Sequence, residues 1–594
     1  MSVADTIPKG GGFLISEMSA KEVFTPEDFT DEQKQLGETT RQFIVNEVLP
    51  NVEKLENHDF PLMVRLLKRA GELGLLMIEA PEEYGGLSLD KATSLIAAEA
   101  VSSYGGFACA YSAHSGIGTL PLVYYGTKSQ KEKYLGKIIT GEWIAAYCLT
   151  EPNSGSDALG AKTTAVLSED GTHYILNGTK QFISNGGFAD IYTVFAKVDR
   201  ERFTAFLVER TFPGVSPGPE EKKLGIKGSS TTPLVLEDAK VPVENVLGEV
   251  GKGHKIAFNV LNVGRLKLGA NVVGGAKAAF VEGVKYANVR KQFGVPIGSF
   301  GAIKEKIADS LAAIFAAESL VYRLAGLIDA RLASIDKGRP DYYAAIQEGI
   351  EEYAMECAIA KVFCSEVLDR VADEVVQIHG GYGFIQEYAA ERCYRDSRIN
   401  RIFEGTNEIN RILIPGVLLK RAMKGEIPLL PEVMKAVEAM KSPANGEAEP
   451  AGPFAAEQAL LRNLKTVFLV VAGAAVRKHA DRIRDEQEIL MAVADIGIGI
   501  FAIESAVLRA GKIAGTLSDA RRAQVAAAVK TFTFNAAEAA ASAARKAAFL
   551  VEDGKKLAWL LDGIGRLAKY DASGLLQAKR LLADASLSAE KYIF

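Results

Sequence analysis

Over residues 30–143 the apolar positions Phe43, Val48, Leu62, Leu66, Leu67, Leu73 and Leu76 recur at helix-like intervals, with Pro50, Pro81 and Gly85-Gly86 as breaks. That spacing predicts helices. The period then falls towards two. Short runs such as Tyr174-Ile175-Leu176 and Ile191-Tyr192-Thr193-Val194-Phe195 alternate with Asp170-Gly171, Asn177-Gly178 and Asn185-Gly186. Those dipeptides tolerate positive φ, so each marks an expected hairpin turn. Residues 204–209 and 232–236 continue the pattern. Helical spacing returns at Lys255 and holds over 256–287, 303–331, 344–379 and 412–424. The expected fold is mainly α with an inserted antiparallel β domain, a sandwich or a barrel.

The same pattern divides the chain. Residues 1–29 are expected to be a loosely ordered leader, 30–145 an N-terminal helical domain, 146–250 the β domain and 251–430 a central helical domain. Residues 431–454 read as a mobile linker, because 441–453 are rich in Pro, Ala, Gly and Glu. The Ala- and Leu-rich residues 455–594 predict an appended domain of three to five helices. Strand and helix do not alternate, so a dinucleotide-binding βαβ unit is not expected. Gly381-Tyr382-Gly383 lacks a preceding strand, and 248–253 lacks the Lys-Ser/Thr ending of a phosphate-binding loop.

A chain of 594 residues needs several cores. Its net charge of -5 weighs against nucleic acid as a partner, since phosphates are gripped by clustered Lys and Arg. The five cysteines are scattered without a CxxC pair, and the six histidines form no HExxH. No metal site is expected, and reduced thiols fit a cytoplasmic setting. No charged-then-apolar signal opens the chain. The most apolar run, 467–476, falls short of the roughly 20 residues that span a bilayer. His114, in a run of small residues, is expected to be buried and satisfied.

Six stretches carry candidate chemistry. Tyr147-Cys148-Leu149-Thr150-Glu151-Pro152, leading to Ser154, Ser156 and Asp157, presents hydroxyls and turn N–H groups to a cofactor edge or phosphate, or is plain turn chemistry. Phe182-Ile183-Ser184-Asn185-Gly186 would wall a flat ring system, or place an aromatic in the core. Asn262-Val263-Gly264-Arg265 offers an arginine to a ligand or to solvent. Arg290-Lys291-Gln292-Phe293-Gly294 and Gln377-Ile378-His379-Gly380-Gly381-Tyr382-Gly383-Phe384 end helices. Arginine with a glycine-rich turn suits a pyrophosphate, and equally an ordinary helix stop. Last, Arg392, Arg395, Arg398 and Arg401 recur every third residue ahead of Glu404, Gly405 and a cap at Thr406 or Asn407. A carboxylate at that break is placed to act as a base; the other reading is a charged helix ended by glycine.

Five of these, at 147–157, 182–186, 290–294, 377–384 and 401–407, resemble in order and plan the acyl-CoA dehydrogenase family. The likeness covers about residues 30–430, and the added C-terminal domain is most similar to the very-long-chain branch. The resemblance implies FAD-dependent oxidation of a long-chain fatty acyl-CoA to trans-2-enoyl-CoA in β-oxidation. Glu404 would take the α-proton while a hydride leaves Cβ for flavin N5, and an electron-transfer flavoprotein would receive the electrons. A ribityl hydroxyl and the N–H of the base would stabilise the enolate, and burial would strengthen the carboxylate. Tyr147, Leu149, Thr150, Ser156, Phe182, Ile183 and Ser184 would meet the flavin and its ribityl chain. Arg290, Gln292, Phe293, Gln377, Gly380 and Gly381 would hold the adenosine diphosphate end, partly across a dimer interface, with Thr406, Asn407 and Glu408 also near FAD. Ser156, Asn262, Arg265 and Phe403 match acyl-CoA contacts. Some members carry the base just before the arginine matched by Arg265; here Gly264 stands there, which leaves Glu404 as the family-type base. A homodimer, peripheral association with membranes and no nucleic-acid partner are further expectations. Two other readings stay open: an acyl-CoA oxidase that uses oxygen, and a non-catalytic flavin protein of the same fold that binds DNA.

Overall fold

The computed structural model describes residues 7–441 and 452–594. The first helical layer contains α1 (Asp31–Phe43), α2 (Phe60–Glu72), α3 (Lys91–Ala100), α4 (Gly105–Ser112) and α5 (Lys128–Ile139). Each start is set locally. Thr30 accepts from Gln33 N, and the Gln33 side chain returns to the Thr30 N–H, a reciprocal cap on α1. After α4 a π-helical turn, Ala113–Gly118, buries His114 completely. Ala145 N–H donates to its Nδ1 at 2.9 Å, so Nε2–H donates to Ile138 O at 3.0 Å. Burial lowers this ring to about 4. It is the neutral, satisfied histidine expected.

The β domain is one eight-stranded sheet of β1 (Ala145–Cys148), β2 (Thr164–Leu167), β3 (His173–Ser184), β4 (Ile191–Val198), β5 (Arg202–Glu209), β6 (Val215–Pro217), β7 (Thr231–Pro242) and β8 (Val246–Leu247). The order is β6-β7-β3-β2-β4-β5-β8, with β1 on β4. Most pairs are antiparallel, but β1 and β2 both run parallel to β4, so the sheet is mixed. Of the three expected hairpin turns, Asp170-Gly171 alone joins paired neighbours, β2 and β3. Asn177-Gly178 lies inside β3 at a bulge opposite β7, where Gly178 has φ 153 and an added Cβ would meet Thr163. Asn185-Gly186 leads from β3 to β4, which are not neighbours in the sheet. Tolerance of positive φ serves a bulge as well as a turn, and periodicity does not tell them apart.

Beyond the sheet come α6 (Gly253–Val289), α7 (Gly301–Ala333), α8 (Tyr342–Glu351), α9 (Ala354–His379), α10 (Ala389–Ser397) and α11 (Asn407–Met423). The helix expected over 344–379 is two, broken at Glu352 and Tyr353. Then α12 (Leu429–Lys441) occupies the start of the expected linker, whose residues 442–451 lie outside the described residues. Five helices follow: α13 (Ala455–His479), α14 (Gln487–Ile513), α15 (Asp519–Val551), α16 (Gly554–Leu567) and α17 (Leu575–Ala589).

Two expectations are corrected here. The leader is not loose from Ile7 onwards. Leu14 is fully buried, Gly11 N–H donates to Glu356 Oε1 at 2.6 Å, Lys465 donates to Ser16 O at 2.8 Å and Arg509 pairs with Glu27 at 2.8 Å. Its glycines mark close approach, since a Cβ on Gly10 would lie 1.9 Å from Glu352 O. Second, among the described residues three helices are long and apolar enough to cross a membrane, over Gly301–Ala333, Ala455–Asp485 and Gln487–Ile513, the most apolar 18-residue stretch of each having a mean hydropathy of 1.6, 1.6 and 1.9. Counting only the uninterrupted run missed them. Their apolar stretches are 89%, 61% and 83% buried inside the protein, where they pack the core that joins the central and C-terminal domains.

Candidate active site

Arg398–Arg401 is a 3-10 turn, whose period the spacing of Arg398 and Arg401 matches, whereas Arg392 and Arg395 lie on α10. Ile402 and Phe403 follow, and then the chain turns twice through the left-handed region, at Glu404 (φ 58) and Gly405 (φ 81). For a glutamate that conformation costs roughly 1 kcal/mol or more. Hydrogen bonds on every side offset it. Arg265 Nε donates to Glu404 O at 3.2 Å, and Lys361 Nζ to Gly405 O at 2.8 Å. Asn410 Nδ2 reaches the carbonyls of Glu404, Gly405 and Thr406 at 3.3, 2.8 and 3.1 Å. Thr406 caps α11 by accepting from Ile409 N at 3.2 Å.

The turn delivers the Glu404 side chain onto α6. A Cβ on Gly264 would lie 2.7 Å from Glu404 Oε2 and 3.0 Å from Oε1. The position from which a rival base would project is the space this carboxylate fills. Glu404 Oε2 is enclosed and has no hydrogen-bond partner among the described residues. Burial pushes the carboxyl up to about 7, against the pull of Arg265 and Lys361. The Glu404 N–H likewise has no acceptor among the described residues. A carboxylate poised near neutrality, beside an unused donor, can take a proton and bind a growing negative charge.

These groups line a cavity of about 140 Å³ with Phe403, Ser184, Cys109, Ile226 and Asp396. Its wall follows α6 from Gly264 through Lys267, Leu268, Asn271 and Gly275 to Ala278. At 1.5 Å per residue those fourteen steps measure about 21 Å. Tyr147 is buried on β1, its hydroxyl 3.4 Å from Ala257 O; burial first and the Glu404 charge second raise its pKa. Asn262 and Arg265 are both buried and bonded to each other, Oδ1 accepting from Nη1 at 3.0 Å.

A second concavity brings together Arg290, Gln292, Gly380, Gly381 and Tyr382. Arg290 lies over the Tyr382 ring at 5.3 Å. No carboxylate lines it; Gly380 N–H caps α9 on Val376 O and Gln377 O, but open space beside Gly380 and Gly381 lets a ligand approach the backbone closely next to the Arg290 cation, which suits a diphosphate. The residues present therefore fit the diphosphate of FAD.

The remaining expected site residues are more dispersed. Leu149 and Thr150 are fixed against β3, where Thr150 O accepts from Gln181 N at 2.8 Å and buried Lys180 pairs with Glu151 at 2.7 Å. Ile183 is buried, whereas Phe182 is 62% exposed with φ 59. Phe293 is 94% exposed, and Ser156, Gln377 and Glu408 are exposed and line neither concavity. Asn407 is buried and faces inward, with Oδ1 accepting from Lys361 at 2.6 Å and Nδ2 donating to Glu366 at 3.0 Å. Sequence reasoning missed Lys361, Asn410 and Asp396. A lysine set among Ile359, Ala360 and Val362 was the available signal for the first.

Four regions match domains of one family: acyl-CoA dehydrogenase N-terminal domain over 30–142, middle domain over 146–239 and C-terminal domains over 251–419 and 463–566. A probable acyl-CoA dehydrogenase of Bacillus subtilis (strain 168) is 48% identical over 589 residues, 99% of each chain. The very long-chain specific acyl-CoA dehydrogenase of Rattus norvegicus is 38% identical over 74% of this chain and 69% of its own. Among solved structures, an acyl-CoA dehydrogenase complexed with FAD from Bacillus anthracis aligns at TM-score 0.96 and 50% identity, covering 99% of this chain and 100% of that one.

Proposed function

We propose, for a chain that belongs to the acyl-CoA dehydrogenase family and is an FAD-dependent oxidoreductase, that it dehydrogenates long-chain fatty acyl-CoA to trans-2-enoyl-CoA in β-oxidation, with Glu404 as the base. The observation that carries this reading is the Glu404 carboxylate, enclosed, unpaired and aimed into a cavity beside its own free N–H. A thioester α-proton is too weakly acidic for a carboxylate in water, so both partners must be shifted. Burial strengthens the base, and the free N–H stabilises negative charge growing on the thioester oxygen. FAD, when bound, supplies the acceptor for the hydride that leaves Cβ. Arg290, Gln292 and the Gly380-Gly381 turn would hold its diphosphate; Tyr147, Leu149, Thr150, Phe182, Ile183 and Ser184 would meet its ring system. Phe403 and the small residues along α6 exclude water from the base, and a wall of about 21 Å favours a long alkyl chain.

An electron-transfer flavoprotein is the acceptor this reading assigns. The exposed apolar group Val289, Phe293 and Phe384, at 71%, 94% and 87% exposure beside the diphosphate concavity, supports a homodimer closed over that end. The test is anaerobic mixing of the FAD-loaded protein with a butyryl- to stearoyl-CoA series. The expected result is flavin bleaching that is fastest with long chains, and enoyl-CoA as product. Bleaching confined to butyryl-CoA would overturn the chain-length assignment, and stoichiometric peroxide in air would mark an oxidase.

A further inference from the structure

Lys361 stands out among the buried charges. It lies on α9 with 0% exposure, and among the described residues its ammonium makes no ion pair. Lys180, equally buried, meets Glu151 at 2.7 Å, and buried Lys91 meets Glu79; buried Lys131, which has no carboxylate partner among the described residues either, lies over the Tyr343 ring at 3.6 Å. Both hydrogen bonds of Lys361 go to neutral oxygens of the base turn, Gly405 O at 2.8 Å and Asn407 Oδ1 at 2.6 Å. An uncompensated ammonium in such a place is costly unless a negative charge stands nearby. The negative charge that acts on it most strongly is Glu404, itself unpaired on the far side of the same turn.

We propose that Lys361 is a positioning residue for the base: its ammonium fixes the turn from Glu404 to Asn407 and supplies, through space, a counter-charge that keeps Glu404 ionised before substrate binds. The inference rests on Glu404 being the base. The groups that face the pair come from several elements. Glu408 approaches from α11, Arg265 from α6 and Glu366 from α9 itself. Glu366 is held by Arg411 at 2.7 Å, and Arg411 by Asp495 of α14 at 2.7 Å. Tyr147 adds a neutral hydroxyl near Glu404 from β1. Arg265 is the second cation, but it is tied to Asn262 and to the Glu404 carbonyl. Burial brings Lys361 down to about 7, within reach of the range in which Glu404 titrates.

The two roles separate by substitution. Lys361→Arg keeps the charge, Lys361→Gln keeps a donor for Gly405 O without charge, and Lys361→Met removes both. Each variant, loaded with FAD, is mixed anaerobically with palmitoyl-CoA, and the second-order rate of flavin bleaching is followed against pH. A base works when ionised, and losing a nearby cation raises its pKa. The acidic limb should therefore move up by about one pH unit in the Gln and Met variants, a roughly tenfold slower reaction on the limb. The Arg variant should keep its limb near that of the unaltered protein. Rates that fall equally at every pH, with no limb moved, would reduce Lys361 to a structural role and overturn the proposal. If the Met variant fails to load FAD, the Gln and Arg pair decides. Glu404→Gln in parallel distinguishes the layers: if it still bleaches, the base assignment fails; if it is inert and the Gln variant's limb stays put, the Lys361 role alone fails.

Discussion

A methyl group added to Gly264 would stand 2.7 Å from Glu404 Oε2. That oxygen ends a flexible side chain, so it would swing aside rather than break the fold. Gly264→Ala is expected to fold and bind FAD while dehydrogenation drops by about a hundredfold, because a base displaced by an ångström loses its line to the α-proton. Flavin absorbance and steady-state turnover of the purified variant check this. The proposed base was legible as a candidate in Phe403-Glu404-Gly405-Thr406, and so was the absence of a side chain at position 264. The reason the two belong together was not. It needs the φ of 58 at Glu404, which no residue type announces, and the approach of α6, distant in sequence. Lys361 was illegible for a similar cause. Its partners, Gly405 O and Asn407, lie more than forty residues further along the chain.

Among the elements, α11 begins at the turn that carries Glu404, and one hydroxyl serves both. Thr406→Ala removes the cap given to Ile409 N and is expected to cost about 1 kcal/mol, read as a melting temperature lowered by a few degrees. Turnover should fall as well, since the same residue closes the turn. An unchanged melting temperature would count against the cap. Helices were read well because their apolar period is long and repeated, and long segments such as α6 and α7 fall near the expected ranges. Strand partners were read poorly. Asn177-Gly178 and Asn185-Gly186 carry the same local signal as Asp170-Gly171, yet one is a bulge and one a link between strands that do not pair. The decision is made by which strand arrives alongside, a property of the sheet and not of the dipeptide.

In the whole molecule the C-terminal domain is fastened through buried charge. Arg509 on α14 is 1% exposed and bonds Glu318 of α7 at 2.6 Å and Glu27 of the leader at 2.8 Å. Arg509→Met removes one of the two cations on buried Glu318, which keeps Lys277, and leaves the part-exposed Glu27 without its arginine; it is expected to cost about 1–3 kcal/mol in thermal or denaturant unfolding of the FAD-loaded protein, with little change in chain-length preference. That domain was legible as helical, but its grip was not, because the leader that completes it reads as a glycine-rich end. The central helices and the appended domain brace the frame on which the base turn is hung, through Asp495, Arg411, Glu366 and Asn407. What that frame exists to do is tested most directly by one measurement. The FAD-loaded protein and its Glu404→Gln variant are mixed anaerobically with palmitoyl-CoA, and flavin bleaching is followed in a single turnover. The account predicts rapid bleaching in the first and at least about a thousandfold slower bleaching in the second, with FAD and acyl-CoA still bound. Bleaching of the variant at the unaltered rate would contradict it.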